Sequence, residues 1–348
     1  METNDLDLLR LEQLEPWLDM HVPEIGDGPL DVRALPGGKS NCVFRISRGA
    51  ATAVLRRPPR YPRPNSNTVI AREALVLGAL KHTDVPHPRM FAACDDHDII
   101  GVNFYVMAYV DGWSGFDLSK RPARYADVTG EAYRNVPFAF IDGIAKLCRI
   151  DYRKVGLEGF GKPEKFLERQ VDRWLSQLES YKQSDGYEGR AIEGLDYVAD
   201  WLRANRPETK YLGIMHGDYN LGNALFPFSA PPRLLAVLDW EMATIGDTLL
   251  DLGWALFTFR GKDGVGPDPG YYDAANFPCR EELADYYSDR TGHAVDDLNY
   301  YIVLAQFKLA SIMEGHVARA QAGKQTYDAR DFVDRLIASA EALARNAS

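Results

Sequence analysis

The sequence predicts an α+β fold with two unequal lobes, a β-rich first lobe of residues 1–110 and a mainly helical second lobe of residues 111–348. Two observations predict it. Short β-type runs separated by turn residues dominate the first hundred residues, and long amphipathic segments follow from about residue 133. One β-and-loop block, residues 215–251, interrupts the helical segments. At 348 residues the chain is too long for one minimal core, which agrees with two lobes.

The first lobe is expected to contain an N-terminal helix and a sheet of the five-stranded type. Residues 32–35, 43–46 and 51–56 are short β-type runs that flank turn residues, which is a hairpin signal. Residues 103–110 form a further β-rich run that ends at an Asp-Gly turn signal.

A second helix is predicted in the first lobe, over residues 69–81, because its apolar residues recur with helical spacing. Asn67 or Thr68 is the expected N-cap. The preceding residues 57–64 must form a loop, because their prolines suit neither a strand nor a helix interior.

The second lobe is predicted to be built from long amphipathic helices. Segments with helical periodicity cover residues 136–148, 163–181 and 192–204, and they resume from residue 281 to the end. The Gly/Pro/Asp-rich residues 261–278 form a long loop, and loops of that length are usually functional or mobile.

The composition is that of an ordinary globular protein, with 46% hydrophobic and 26% charged residues. Lysine and arginine total 40 against 50 aspartates and glutamates, and the resulting net charge of −10 disfavours a nucleic-acid partner. The four cysteines include no CxxC pair, so free thiols in a reducing compartment are expected. Because the acidic N-terminus lacks signal-peptide features and no long apolar run exists, a soluble cytoplasmic protein without a membrane partner is predicted, either monomer or homodimer.

The strongest candidate for chemistry is the segment 214–226 together with Asp239. Phosphoryl transfer needs a carboxylate that takes the proton of the attacking hydroxyl and oxygen ligands that hold Mg²⁺ on the phosphates. Asp218 supplies the base, and Asn223 with Asp239 supplies a minimal metal site. Taken singly, each of these residues is explained as well by a turn or a cap. Their order and spacing together favour the catalytic interpretation.

His216-Gly217-Asp218-x-x-x-x-Asn223, followed by Leu238-Asp239-Trp240-Glu241, resembles the signature of the aminoglycoside-phosphotransferase/choline-kinase-like superfamily. The resemblance covers residues 30–325 and implies a bilobal protein-kinase-like fold. It also implies an ATP- and Mg²⁺-dependent kinase. Asp218 would be the catalytic base, Asn223 and Asp239 the magnesium ligands, and His216 a structural member of the catalytic loop.

The segment 238–251 continues the resemblance. Residues 246–252 resemble the family's GDP-x-x-D-L segment, with Thr248 where proline is usual. The resemblance implies that Asp251 braces the backbone of the catalytic loop.

A separate signal comes from the predicted helix 69–81. Its spacing places Glu73 on the apolar face, where a buried carboxylate needs a partner. Arg56 at the end of the preceding strand is the expected partner, in the position where most kinases carry lysine. A subgroup of the superfamily carries a similar V-L-R-R-x-P segment. Because arginine is a planar donor, the phosphate geometry is expected to differ from that of a lysine kinase.

Two backbone segments are predicted to contact the nucleotide. Gly38, Ser40 and Asn41 lie in a segment that resembles the family's phosphate-covering hairpin, and they do not fit a P-loop. Residues 107–110 resemble the kinase hinge. The resemblance implies Met107 as gatekeeper, with the carbonyl of Ala108 and the N–H of Val110 on the adenine edge.

The acceptor is predicted to bind to the helical lobe and the 261–278 loop. This loop is only mildly acidic, whereas polycationic aminoglycosides favour a dense acidic patch. Segments near residues 161–174 and 307–319 resemble the subgroup that includes the kinase-like region of some acyl-CoA dehydrogenases, which implies a hydroxyacyl-type or other small hydroxylated acceptor. Lys308 and Arg319 share one helix face and are candidates for binding an anionic acceptor or CoA phosphates, although a solvated basic edge explains them better.

Three other functions compete with a small-molecule kinase. A nucleotide-binding, inactive pseudokinase-like module is left open by Arg56 in place of lysine. A metal-dependent hydrolase would need more ligands around His216 than this block provides. A protein kinase is disfavoured because no A-P-E pattern follows Asp239. The sequence leaves open the choice between ATP and GTP and the identity of the acceptor.

Overall fold

A computed structural model describes residues 5–35, 41–114, 134–183, 186–229, 231–262, 264, 266 and 277–347. The first lobe contains a five-stranded antiparallel sheet with the strand order β1-β2-β3-β5-β4, which confirms the β-rich first third. The strands are β1 (Asp31–Ala34), β2 (Cys42–Arg48), β3 (Ala51–Arg57), β4 (Met90–Cys94) and β5 (Phe104–Ala108).

Helices cover both faces of this sheet. Alternate residues of β2, including Phe44 and Ile46, are buried with the helix α1 (Leu11–His21), whose Trp17 lies edge-on to Phe104 at 4.7 Å between ring centroids. The helix α2 (Ser66–Ala79) packs on the other face and belongs to a second apolar cluster that extends into the helical lobe. The side chains that α2 buries are therefore placed between the lobes.

The helix α2 begins three residues earlier than its periodicity predicts, and the predicted cap is wrong. Its N-cap is Asn65, which makes no capping hydrogen bond with its side chain. Asn67 makes a different contact: its side-chain oxygen accepts a hydrogen bond from the backbone N–H of Asn103 at 3.0 Å. This bond ties α2 to the start of β5.

The second lobe is mainly helical, as predicted. A short helix α3 (His97–Ile100) still belongs to the first lobe. The helices of the second lobe are α4 (Val136–Leu147), α5 (Gln170–Tyr181), α6 (Leu195–Ala204), α7 (Leu249–Leu256), α8 (Arg280–Thr291), α9 (Leu298–Gln321) and α10 (Arg330–Asn346). The 24-residue α9 is the centre of this lobe, since it packs against α5, α6, α7 and α10.

Short strands in the second lobe position the motif residues. These strands are β6 (Trp113–Ser114), β7 (Leu212–Met215), β8 (Ala224–Phe226), β9 (Ala236–Val237) and β10 (Thr244–Asp247). β7 pairs with β10 and β8 pairs with β9, both antiparallel. The loop between β7 and β8 and the loop between β9 and β10 are therefore held side by side.

Within the described ranges, none of the helices has the length and apolar character that crossing a membrane requires.

Candidate active site

The loop after β7 is shaped by a glycine and a buried aspartate. Gly217 has a φ of 83°, and a Cβ at this position would clash with the carbonyl oxygen of Met242. Asp251, in the first turn of α7, accepts hydrogen bonds from the backbone N–H groups of His216 at 2.5 Å and Gly217 at 2.9 Å. Asp251 thus contacts the loop backbone in the way that the sequence resemblance implies.

His216 joins the two loops and is completely buried. Its Nδ1 lies 3.2 Å from the backbone nitrogen of Asp218, and its Nε2 lies 2.9 Å from the carbonyl oxygen of Leu238. Because Nδ1 accepts from an N–H group, the ring proton is on Nε2 and is donated to Leu238. Both ring nitrogens are therefore used within the chain, which suits a structural role.

Asp218 is half-buried and its carboxylate is held from three directions. Its Oδ1 accepts hydrogen bonds from Asn220 Nδ2 at 2.9 Å and Trp254 Nε1 at 3.1 Å, and its Oδ2 accepts one from Asn223 Nδ2 at 2.9 Å. Burial raises the pKa of Asp218, while the charge of Lys308 and the hydrogen bond from Asn223 act in the opposite direction. The motif identified Asp218, but nothing in the sequence pattern pointed to Trp254, which comes from α7.

Lys308 lies beneath this loop and is 5% exposed. Its ammonium group donates to the carbonyl oxygen of Gly217 and sits 4.2 Å from the ring centroid of Trp254. Burial lowers the pKa of Lys308 to about 8, although the charges of Asp218 and Asp251 oppose the shift. The solvated basic edge that the sequence left open is therefore wrong for Lys308.

Arg319, eleven residues further along α9, lies away from the catalytic loop. Its Nε donates to the side-chain oxygen of Gln325 at 3.3 Å. Burial and the nearby charge of Arg63 lower the pKa of Arg319. The two basic residues that the sequence grouped on one face thus occupy different surroundings.

Asn223 and Asp239 have donor groups that fit a magnesium site. The Asn223 amide nitrogen donates to Asp218, to its backbone carbonyl and its Oδ2, both at 2.9 Å, so the amide oxygen remains as the group that a cation would use. Asp239 adopts a left-handed backbone with φ 64°, an uncommon conformation for a residue other than glycine. One amide oxygen and one carboxylate, completed by water and phosphate oxygens, match what Mg²⁺ accepts in nucleotide sites.

A larger metal site is not present in the described part of the chain, where no group of three or more histidine, cysteine or acidic side chains is arranged to hold a metal ion. That arrangement would be expected of the competing hydrolase.

The two lobes meet at Arg56. Its Nε lies 3.0 Å from Glu73 Oε2, and its second terminal nitrogen lies 2.6 Å from Asp239 Oδ1 and 3.5 Å from Glu241 Oε2. The ion pair predicted from the helical spacing is therefore present, and Glu73 is completely buried. Burial raises the pKa of Glu73, and Arg56 opposes this shift.

Glu241 belongs to the quoted signature, but no role was predicted for it from the sequence. It follows Asp239 by two residues and also accepts a hydrogen bond from the side chain of Asn41 at 3.2 Å. An acidic residue directly after the Asp-Trp pair was the available signal. Gly38 and Ser40 lie outside the described residues, so Asn41 represents the predicted phosphate-covering segment.

The predicted adenine contacts lie at the end of the sheet. Met107 and Ala108 are the last two residues of β5, and they pair with Val54 and Ala53 of β3. Val110 follows the strand and is half-buried. Their contacts with a nucleotide stay a prediction.

Residues 31–286 match the model of a family described as phosphotransferase enzymes. The chain belongs to this phosphotransferase family. Among solved structures, a candidate aminoglycoside phosphotransferase from Ralstonia eutropha JMP134 is 29% identical, with a TM-score of 0.76 over 96% of this chain and 98% of that one. A choline/ethanolamine kinase family protein from Mesorhizobium loti shares the fold, with a TM-score of 0.57 at 21% identity over 99% and 95% of the two chains.

Curated relatives of this phosphotransferase-family chain are named acyl-CoA dehydrogenase family member 11. The protein from Gallus gallus is 33% identical over 85% of this chain and 38% of its own length, and the protein from Homo sapiens is 30% identical over 90% and 40%. The chain thus spans about two fifths of the length of these relatives. The resemblance to this subgroup and the kinase-like α+β fold are confirmed.

Proposed function

We propose that the protein transfers the γ-phosphate of ATP to a hydroxyl group of a small molecule. The observation that carries this proposal is the position of Asp218, whose carboxylate is fixed beside the two candidate magnesium ligands Asn223 and Asp239. The backbone N–H of Leu238 also donates to the carbonyl oxygen of Asn223 at 2.7 Å, which joins the two ligand-bearing segments. A fixed base beside a metal site is what phosphoryl transfer requires.

Each side chain has one role in this reaction. Asp218 orients the acceptor hydroxyl and takes its proton as the bond to phosphorus forms. Asn223 and Asp239 would hold Mg²⁺, which would neutralise charge on the phosphate oxygens. Arg56, held by Glu73, faces the phosphates.

The placement of Lys308 suggests how the base is kept ionised. Its ammonium group binds the carbonyl of Gly217, the residue before Asp218. Because it carries a positive charge near a half-buried carboxylate, it favours the ionised form of Asp218 that can accept a proton. Lys308 is therefore a positioning residue in the proposal.

The acceptor is proposed to be a small alcohol that is not a polycation. The relatives named as acyl-CoA dehydrogenase family members make hydroxyacyl compounds reasonable candidates, and neighbours named as aminoglycoside phosphotransferases keep aminoglycosides as the alternative. Lys308 and Arg319 both belong to α9, and a third basic residue, Arg63, lies near Arg319. Positive charge at these positions disfavours a cationic acceptor.

One observation favours a second candidate, an inactive nucleotide-binding module. Arg56 lies 2.6 Å from Asp239, so an ion pair occupies one proposed magnesium ligand. In an active enzyme Asp239 would bind Mg²⁺ through its other carboxylate oxygen or exchange this contact when MgATP binds.

The test combines binding and turnover in the purified protein. Thermal shift with MgATP and MgGTP reports nucleotide binding, and a panel of hydroxylated metabolites, hydroxyacyl thioesters and aminoglycosides is screened for ADP release. Stabilisation by MgATP with acceptor-dependent ADP release supports the kinase. Stabilisation without ADP release from any acceptor supports the inactive module, and the absence of stabilisation by either nucleotide rejects both.

A further inference from the structure

A cavity with a volume of about 390 Å³ opens at the surface of the second lobe, next to α2. It lies where α2, the segment 159–162, the start of α5 and the start of β10 meet. Its lining residues are Arg72, Gly159, Phe160, Gly161, Lys162, Phe166, Arg169, Gln170, Arg173 and Thr244. We call the four cations Arg72, Lys162, Arg169 and Arg173 and the space between them the basic pocket.

The arginines of the basic pocket are held by neutral groups. Arg72 donates to the carbonyl oxygens of Phe160 at 2.9 Å and Ala243 at 3.2 Å, and its guanidinium lies 4.0 Å from the ring centroid of Phe160. Arg169 donates to the carbonyl oxygens of Lys162 and Glu164. Carbonyl oxygens fix the direction of a guanidinium but leave its positive charge uncompensated.

Within the part of the chain that the structure describes, no carboxylate neutralises the cations of the basic pocket. None of its lining residues is acidic, and none of its four cations forms an ion pair with a described aspartate or glutamate. The pKa of Arg173 is lowered by burial and then by the charge of Arg169, as expected where cations are close together without an anion. Asp172, the acidic residue next to Arg173 on α5, pairs instead with Arg203 on α6 at 2.8 Å.

The pocket lies next to the residues of the proposed reaction. Thr244 lines it and pairs with Met215, three residues before Asp218. Arg72 neighbours Glu73 along α2 and holds the backbone of Ala243 on the segment that follows Asp239.

We propose that the basic pocket binds a phosphate group carried by the acceptor, while the acceptor hydroxyl faces Asp218. This inference rests on the proposed function of the same site. A phosphate group is the ligand that matches several planar guanidinium donors, because its oxygens accept paired hydrogen bonds and carry more than one negative charge. The phosphates of the nucleotide are assigned to Asn223, Asp239 and Arg56, none of which lines the pocket.

The pocket can be tested without knowing the acceptor. Inorganic pyrophosphate is titrated calorimetrically into the full chain that is saturated with a non-hydrolysable ATP analogue and Mg²⁺, so that the nucleotide site is filled. The test variant is Arg169→Gln combined with Arg173→Gln, two exposed side chains whose replacement leaves the buried core intact. The matched control removes two charges elsewhere, with Lys324→Gln and Arg335→Gln on exposed positions.

The expected result is pyrophosphate binding that weakens at least about tenfold in the test variant and stays within about twofold in the control, because only the test variant loses two charged hydrogen-bond donors of the pocket. The affinity for the nucleotide is expected to remain unchanged in both variants. Equal pyrophosphate affinity in the wild type and the test variant would overturn the proposal. Pyrophosphate binding that is seen with the nucleotide-free protein but not with the nucleotide-saturated protein would also overturn the proposal.

A kinetic experiment distinguishes failure of the proposed pocket from failure of the proposed reaction. Acceptor alcohols are compared in pairs that differ only by a terminal phosphate. The phosphorylated member should have the lower KM in the wild type, and the advantage should vanish in the test variant with kcat preserved. Turnover that shows no such preference rejects the pocket alone, whereas pyrophosphate binding without turnover of any acceptor rejects the proposed reaction alone.

Discussion

The catalytic centre and the basic pocket differ in whether their charged side chains are neutralised by partners within the chain. At the centre, Arg56 is surrounded by three carboxylates, and Asp251 is satisfied by two backbone N–H groups. In the pocket, Arg72 and Arg169 donate to carbonyl oxygens, Arg72 also lies over the ring of Phe160, and neither forms an ion pair with a described carboxylate. Charged groups that are paired within the chain stabilise the arrangement of the catalytic residues, whereas cations without a carboxylate partner are able to bind an anionic ligand. Substitutions at the catalytic centre should therefore change stability and turnover, whereas substitutions in the basic pocket should change the binding of a phosphate group.

The largest effect is expected for Asp251→Ala. The substitution leaves the backbone N–H groups of His216 and Gly217 buried without acceptors, and each such group costs roughly 1–3 kcal/mol. The free energy of unfolding, measured in urea, should fall by about 2–5 kcal/mol. Asp285→Ala on the exposed face of α8 is the control, with an expected change under about 0.5 kcal/mol. A loss below about 1 kcal/mol in Asp251→Ala would show that the loop does not depend on this carboxylate.

Glu73→Gln should act on the nucleotide. With the buried anion removed, Arg56 keeps only Asp239 and Glu241 and is expected to move onto the proposed metal ligand. The KM for MgATP should rise about tenfold, which corresponds to roughly 1.4 kcal/mol. Glu188→Gln, at an exposed position, should leave this KM unchanged. An unaltered KM in Glu73→Gln would separate the ion pair from phosphate binding.

The pH profile tests the role of Lys308. The side chain of Lys308 loses a proton and its positive charge as the pH rises through its pKa of about 8. The kcat of the wild type should therefore decline above that pH. On the acidic side, activity should rise with pH as Asp218 loses its proton, at a higher pH than for an ordinary aspartate because burial raises its pKa. Lys308→Met should lose the alkaline decline and have a lower kcat at neutral pH. The same alkaline decline in both proteins would assign it to another group.

The smallest effect is expected for Arg319→Glu. Its guanidinium contacts Gln325 and lies far along α9 from the catalytic loop. The KM for an anionic acceptor should rise a few-fold, roughly 0.5–1 kcal/mol, while the KM for ATP stays constant. Arg345→Glu, near the end of α10, is the control for added negative charge. An acceptor KM unchanged by Arg319→Glu would remove this residue from the acceptor site.

The sequence predicted the lobes and the central residues because both depend on local patterns. The alternation in β2 and the helical spacing around Glu73 each specify a buried face within a few residues. The ion pair between Arg56 and Glu73 followed from the cost of burying one charge alone. The order of Asp218, Asn223 and Asp239 is likewise visible along the chain.

What the sequence could not predict are contacts set by tertiary packing. Trp254 reaches Asp218 from a different helix, and Lys308 reaches Gly217 across 91 positions. The basic pocket gathers Arg72 from α2 with Arg169, which precedes α5, and Arg173 in α5, and no local spacing relates α2 to this segment. Such clusters emerge only when distant elements are brought together.

The central claim is that Asp218 is the base of a phosphoryl transfer, and Asp218→Asn tests it most directly. The amide keeps the shape of the side chain but cannot take a proton, so acceptor-dependent ADP release should fall by about 10²–10⁴-fold. MgATP affinity, measured by calorimetry on the same protein, should stay within about threefold of the wild type. Wild-type turnover in Asp218→Asn would contradict the mechanism.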